Sequence, residues 1–512
     1  MNRSVLISSL LALIPCILMP WTVTSTEPAP PPPLEASEAA AAPAEAPPAA
    51  AQGLTLEQAL LMALQQNADL QVQAFEPLIA GTFPAREQAR FAPEAFATAS
   101  HLDSSSSETA RSTGEQFDAE VQQNRMTGGI RRQFSTGTEV ELSAQHAGET
   151  SNRAPDQEEA RLAIALTQPL LQGAGRTVNL ASVQRARLDF EISEAELRGY
   201  TEAILAEAES AYWRYWLAVE TIAITEQALE VAEKQLDDMR QRIAVGQLAR
   251  NEEAVAQAEV ARRRQVLIDA QANRVRRTIE LQGLIAPSQE LPSRVLQTPP
   301  ELPEADPADT LEKRIDVADQ ARADLQEARL RLEQRRLDTV VSRDGLLPRL
   351  DFFAQLAKTG FGPDMGNAWS EIGGDGYAVE VGLRLSRSLG DRAETARDDE
   401  MRFRQEQAVV AVENLRLKIG RTIRLAANEF ERALKQIDAS AETRRLQTLT
   451  VESEIERFRV GTGTALQVAQ AQRDLLSSRI DEQQARVAAR LALLQLYLAE
   501  GSLLQRRGIV TP

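Results

Sequence analysis

The constraint that most limits this chain is that it repeats itself, at one spacing before a strand-rich stretch and at another after it. Leu56-Glu57, Asp69-Leu70 and Pro93 recur as Leu311-Glu312, Asp324-Leu325 and Pro348, each 255 positions later (311 − 56, 324 − 69, 348 − 93). Gly175 and the Val245-Gly246 pair recur as Gly390 and Val460-Gly461, each 215 positions later (390 − 175, 460 − 245). The two halves therefore share one plan, and the first carries a surplus of 40 residues (255 − 215) between Pro93 and Gly175. Internal duplication outranks any local motif in deciding a fold, because neighbouring units bury their apolar faces on one another. A length of 512 residues then means two interleaved halves, where length alone suggests about three domains.

Residues 1–25 read as an export signal, with Arg3 as the charged start and Val5 to Leu18 as an apolar core too short and Pro-interrupted to span a bilayer. The sole cysteine, Cys16, lies within it, so cleavage leaves no disulfide and no thiol site. Lipidation at Cys16 is the alternative, opposed by Pro15 where such a signal wants a small residue and by the continuing Ile17-Leu18-Met19. Residues 26–52, almost wholly Pro, Ala and Glu, form an extended tether. The first repeat occupies 53–286, with strands and the insertion at about 91–170 and a long helical hairpin at 178–285. A Pro-rich connector at 287–309 leads to the second repeat at 310–505, with strands at about 348–388, a hairpin at 392–500 and a tail at 506–512.

Periodicity supplies the elements. Leu54 to Ala80 reads as one helix entered through a Thr55/Gln58 capping box. From Phe91 to about Gln168 the period becomes two, as in Glu139 to Gln145 and in Leu162, Ile164 and Leu166. The second half shows it in Val379, Val381, Leu383 and Leu385, alternating with Glu380, Gly382, Arg384 and Ser386. One greasy and one charged face is the pattern of a barrel strand between lipid and water, although a soluble sheet with one wet face alternates in the same way. Gly360 to Gly376 reads as a Gly- and Ser-rich loop. Helix then runs without Pro from Val178 to Val245 and from Arg392 to Arg459. Leu205, Ala208, Tyr212, Tyr215, Val219, Ile222, Leu229, Ala232, Leu236, Met239 and Ile243 advance by threes and fours, with Glu226 off pattern. Such a seam means long helices packed side by side. Each ends at a Gly turn, and a second helix returns, Ala249 to Ile285 or Thr464 to Glu500. Every long helical stretch carries frequent charges, so beyond the export signal only strands are fit to cross a membrane.

The chemistry-bearing residues are few. A net charge of −17 argues against a nucleic-acid partner, and Arg262-Arg263-Arg264 sits among Glu as a solvated helix face. His101 and His146 have no Cys partner, which argues against zinc. No phosphate loop and no nucleophile elbow is found. The expectation is a protein that is not an enzyme, with no catalytic residues, no cofactor and no metal. Gln172-Gly173-Ala174-Gly175 reads as the joint where strand becomes helix.

A physical device remains: strands joined without a break to helices about 100 Å long. Four strands from one chain cannot close a barrel, whereas three copies supply twelve and remove the open edges that lipid does not tolerate. Ser135-Thr-Gly-Thr138 in the surplus marks one additional hairpin, which either joins the wall, giving eighteen strands in a trimer, or decorates the outside.

Leu54 to Leu60, Gln66 to Leu70, the strand exit Leu166 to Arg176, Ala211-Tyr-Trp213 and the paired Val-Gly turns together resemble the outer-membrane efflux protein family, the TolC-like channels, over residues 53–505. The resemblance implies a homotrimer with a transmembrane β-barrel in outer-membrane lipid, continuous with a periplasmic α-barrel. Such a channel is docked by a periplasmic adaptor (membrane fusion) protein and an inner-membrane pump, and exports small toxic molecules or proteins. In the family the helix-reversal turns meet the adaptor, which here points to Val245, Gly246, Val460, Gly461 and Thr462. Its tunnel mouth is often narrowed by two aspartates after the last turn, and Gln467 and Gln470 stand at those positions. The acidic pair is therefore absent, and Glu252 (467 − 215), with Glu253 beside it, is the candidate for a negative ring while the glutamines close the mouth by hydrogen bonding. A non-transporting periplasmic coiled-coil scaffold is the alternative, and it has no use for greasy alternating strands.

Overall fold

The computed structural model describes residues 54–109, 114–248, 250–285, 310–390 and 392–509. The expected export signal, tether and connector lie outside them, as does the end of the tail. The chain opens with four short helices, α1 (Leu56–Gln66), α2 (Ala68–Gln73), α3 (Phe75–Gly81) and α4 (Phe83–Gln88). The capping box forms, with the Thr55 hydroxyl accepting from the Gln58 N–H and the Gln58 amide oxygen from the Thr55 N–H. The single helix expected over Leu54 to Ala80 is broken at Asn67, whose backbone is extended and whose side chain starts α2 by accepting from the Leu70 N–H. Its amide also donates to the Leu284 carbonyl, so it caps two helices at once.

A 3₁₀ turn (Ala89–Phe91) leads into β1 (Glu94–Thr109), β2 (Gln116–Gln133), β3 (Glu139–Ser151) and β4 (Ala154–Pro169). Next come α5 (Arg176–Asn179), α6 (Ala181–Ala244) and α7 (Asn251–Ile285), then α8 (Leu311–Ala321), α9 (Ala323–Gly345) and β5 (Arg349–Gly362). The loop expected at Gly360 to Gly376 contains a short helix, α10 (Met365–Ser370), capped by the Asp364 carboxylate. β6 (Tyr377–Ser386), α11 (Arg392–Arg459), α12 (Ala465–Glu500) and α13 (Leu503–Arg506) complete the chain. α1 and α8 each have 11 residues behind a Thr cap. The break after α8 falls at Arg322, which donates to the Leu498 and Ala499 carbonyls at the end of α12 as Asn67 does to the end of α7.

The six strands of the described residues form one antiparallel sheet in chain order, β1-β2-β3-β4-β5-β6. The surplus hairpin is therefore in the sheet, as β2 and β3, and each chain brings six strands where the duplicated plan alone gives four.

α6 and α11 have 64 and 68 residues, or about 96 and 102 Å. Each packs on its returning partner, α7 or α12. None of the eleven seam residues of α6 is exposed, and at the off-pattern point the fully buried Thr225 replaces Glu226. Two apolar clusters hold the bundle. In one, Leu54, Leu60, Tyr212, Trp213, Trp216, Leu281, Leu494 and Leu503 join α1, α6, α7, α12 and α13. In the other, Leu325, Ile423, Phe430 and Leu496 join α9, α11 and α12. The Tyr212 hydroxyl donates to the Leu54 carbonyl, and burial pushes its phenol up to about 12. Buried carboxylates are paired with arginines far away in the chain: Glu209 with Arg507, Glu500 with Arg314 and Glu482 with Arg444.

Candidate functional site: the sheet faces and the hairpin reversals

The sheet sorts its residues by face. One row crosses all six strands as Val379, Leu356, Ile164, Leu142, Ile130 and Ala95, every member apolar. The next row, on the opposite face, reads Glu380, Gln355, Ala165, Glu141, Arg131 and Glu94. On that polar face Arg131 binds Glu94 with both arms of its guanidinium, at 2.9 and 3.1 Å, and Arg349 binds Asp351 at 2.8 Å. The apolar residues stand bare in the single chain, Val381 at 62% and Leu383 at 65% exposure. Their band on β5 runs from Leu350 to Leu356, six steps (356 − 350), which is about 20 Å along the strand. Above it the same face turns polar, with His146 paired to Glu158 at 2.9 Å and His101 to Asn124 at 2.8 Å. The two histidines thus belong to separate pairs. Among the described residues no helix is long and apolar enough to cross a membrane.

The far ends of the two long hairpins meet. Val245 and Val460 are 70% and 68% exposed at the reversals. Gly246 and Gly461 adopt φ of 75° and 80°, the left-handed conformation that lets the N–H of the next residue bond back into the helix. Gln247 donates to Arg242, and Thr462 to Arg457 at 2.8 Å. Because φ is positive at both Gly246 and Gly461, a substitution at either is strained although there is open space for a Cβ. A cavity of about 130 Å³ lies just behind the turns, among Met239, Val255, Phe458, Ala465 and Val468 of all four helices. Beside it the buried Glu259 forms an ion pair with Arg263 at 2.7 Å and accepts a hydrogen bond from Arg473 of the other hairpin at 3.0 Å. Burial pulls the Arg263 guanidinium below its ordinary value, opposed by Glu259. Sequence reading missed this trio, because Glu259 and Arg473 are 214 positions apart.

The four gate candidates separate in this geometry. Gln467 is part of the Thr464 capping box, its amide oxygen accepting from the Thr464 N–H at 2.9 Å. Gln470 is exposed on α12. Glu253 is held by Arg240 and Gln257, each at 2.9 Å. Glu252 is half-buried and has no ion pair among the described residues.

Residues 315–502 match the family described as outer membrane efflux protein. No curated protein matches the chain by sequence. Solved structures similar to it include the VceC outer membrane protein of Vibrio cholerae, with TM-score 0.62, 18% identity, and coverage of 87% of this chain and 96% of that one. The CmeC outer membrane channel of Campylobacter jejuni gives TM-score 0.61 and 15% identity over 88% of this chain and 86% of its own. The open-state MtrE outer membrane channel of Neisseria gonorrhoeae gives 0.60 and 18% over 88% and 89%. At these identities the likeness is one of fold, a sheet carried on long helical hairpins, and it spans nearly the whole of each chain. The family match itself covers residues 315–502, in the second half, and over the remainder the chain is similar to these outer membrane channels in fold.

Proposed function

We propose that three copies of this chain form a passive conduit, the outer-membrane component of a tripartite efflux or type I secretion system. The observation that carries this reading is the sheet: a continuous apolar face on six strands, a charged face behind it, and two unpaired edges, β1 and β6. A sheet edge in lipid leaves backbone groups unsatisfied at several kcal/mol each, so closure between copies is the arrangement that satisfies them. The matched helix lengths and caps of α1 and α8, and the Val-Gly reversals of both hairpins, support a duplicated unit underlying the tunnel. A periplasmic scaffold has no use for an exposed apolar band, which disfavours that alternative.

The reversals are the docking point for a periplasmic adaptor, with the inner-membrane pump beyond it. Gly461 is unsuitable as a probe because of its positive φ, whereas Val460 is exposed and tolerant. A photo-cross-linker at Val460 is expected to capture an adaptor in intact envelopes, and the same probe at Val410, 18 residues into α11 (410 − 392), is expected not to. Deletion of the gene is expected to raise drug susceptibility or to stop a secreted protein. Unchanged susceptibility and secretion, together with recovery of the protein only from the soluble periplasm, would favour the scaffold.

Glu252 is the proposed source of a negative ring at the tunnel mouth, one carboxylate from each copy, since Glu253 is already neutralised by Arg240. Glu252→Gln is expected to lower cation preference in a planar bilayer, with Glu253→Gln as the weaker control. Equal cation selectivity of wild type and Glu252→Gln removes Glu252 from that role.

A further inference from the structure

β5 begins directly after α9 and β6 leads into α11, so the connection between the two strands lies at the end of the sheet remote from the helices. It holds 14 residues (376 − 362), against the two that join β3 to β4, and it contains α10. The segment folds back along the sheet instead of projecting beyond it, and α10 packs on β5 and β4. Register fixes the face that it covers. Leu356, Lys358, Gly360 and Gly362 alternate onto one side of β5, and Leu356 belongs to the apolar row. A Cβ at Gly360 would collide with the Ala368 carbonyl oxygen, and one at Gly362 would lie 2.6 Å from the Ala368 nitrogen. The two glycines thus leave room for the backbone of α10 against the strand. Ala160, paired with Gly360 on the same face, and Ala368 are both fully buried.

α10 therefore stands on the apolar side of the sheet, just beyond the band. Lys358, the first residue after Leu356 on this face, donates its ammonium to the Gly374 carbonyl at 2.6 Å, so its charge is held by the same segment. Tyr377 is level with Lys358 on β6 and exposed, on the face that carries Val379 and Val381. On α10 Met365 and Trp369 are one turn apart and share a side of the helix, Met365 exposed and Trp369 half-buried. Asn367, Ser370 and Glu371 are exposed around them. Tryptophan and tyrosine collect where acyl chains give way to headgroups, because the ring is apolar while its N–H or O–H needs a polar partner.

We propose that α10 is a lipid-binding foot on the outside of the wall, lying where the acyl chains of the outer leaflet meet their headgroups, with Trp369 and Met365 in contact with lipid. The inference rests on the reading of the apolar band as lipid-facing. The band ends below α10 on the same face, so the lipid that covers Leu356 and Val379 continues onto the helix. A second copy is not the occupant, because copies meet at β1 and β6, whereas α10 lies on β4 and β5 with β6 between it and the edge. The long β5–β6 connection is thereby kept outside the bore, and the depth of the wall in the bilayer is set at this end by a helix laid across the strands.

Tryptophan emission tests this on the full chain in phosphatidylcholine vesicles, made with or without bromine on the acyl carbons nearest the headgroup. The difference between the intact protein and Trp369→Phe isolates Trp369, since Trp213 and Trp216 are buried in the helical bundle and common to both. The expected result is loss of most of that difference in brominated vesicles. An equal difference in the two kinds of vesicle overturns the proposal. Gly360→Leu puts a side chain where α10 lies and is expected to restore the Trp369 emission. Undiminished quenching in Gly360→Leu overturns the seat of α10 on the wall.

Val381→Trp, within the band, keeps the two readings apart, because bromine at the chain ends quenches it wherever the band faces lipid. Quenching there without quenching at Trp369 overturns the foot alone, and quenching at neither overturns the lipid-facing band with it. Should Trp369→Phe not assemble, a nitroxide on Met365→Cys gives the same reading, the sole native cysteine lying in the expected export signal. Collision mainly with dissolved oxygen, which concentrates in lipid, supports the proposal, and collision mainly with a water-soluble nickel chelate overturns it.

Discussion

Val381→Arg is expected to cost about 2–4 kcal/mol per copy and to abolish the heat-resistant oligomer in outer-membrane extracts. Val381 lies mid-band on β6, beside Ala354 and one residue from Glu380, which points to the opposite face. The same strand therefore holds its own control. Glu380→Gln removes a charge from the polar side and is expected to leave assembly unchanged, because an exposed polar residue there is solvated in either form. Since a strand alternates strictly, this one-residue step separates lipid from lumen. Heat-modifiable migration on gels, backed by urea unfolding in detergent, reads the difference. If both variants assemble equally well, the apolar band does not face lipid.

Trp213→Ala is expected to destabilise the periplasmic bundle by about 3–5 kcal/mol, more than any change on an exposed helix face. Trp213 is 3% exposed, meets Tyr212 edge-on with ring centroids 5.2 Å apart, and lies under the Arg490 guanidinium at 4.4 Å. Its indole N–H donates to Glu209 at 3.3 Å. Truncation opens a large cavity, removes one donor from a buried carboxylate and strips the cation of its aromatic partner. Trp213→Phe retains most of the volume and is expected to lose roughly half as much, the residue being the missing N–H. Thermal unfolding of the solubilised protein, followed by circular dichroism, measures both. A loss below about 1 kcal/mol in Trp213→Ala would mean that the cluster is dispensable.

Much of this architecture is legible in the residues because long helices and strands advertise themselves by period. α11 begins and ends where the absence of proline and the Val460-Gly461 signal place it. The hairpin at Ser135 to Thr138 is visible for the same reason, its glycine and threonines standing between two alternating runs. What escaped reading are features set by distant partners. The break at Asn67 carries a local cap signal, yet its force comes from the Leu284 carbonyl, 217 positions away. α10 hides in a glycine-rich stretch because six residues show no amphipathic period. Membership of β2 and β3 in the wall depends on β1, whose Ser104 to Ser107 run disguises a strand of 16 residues. At the hairpin reversals the sequence locates the turns but not the Glu259, Arg263 and Arg473 trio, which exists only once the two hairpins lie together.

The buried carboxylates impose an order on maturation. Glu209 receives its guanidinium from Arg507, 298 positions downstream, and Glu500 closes on Arg314 across 186. A polypeptide made from its amino end therefore leaves α6 with an uncompensated charge at its heart until the final helices arrive. The first half has no finished interior to retreat into while it waits. A chain cut short before Arg507 keeps the Glu209 anion without that partner.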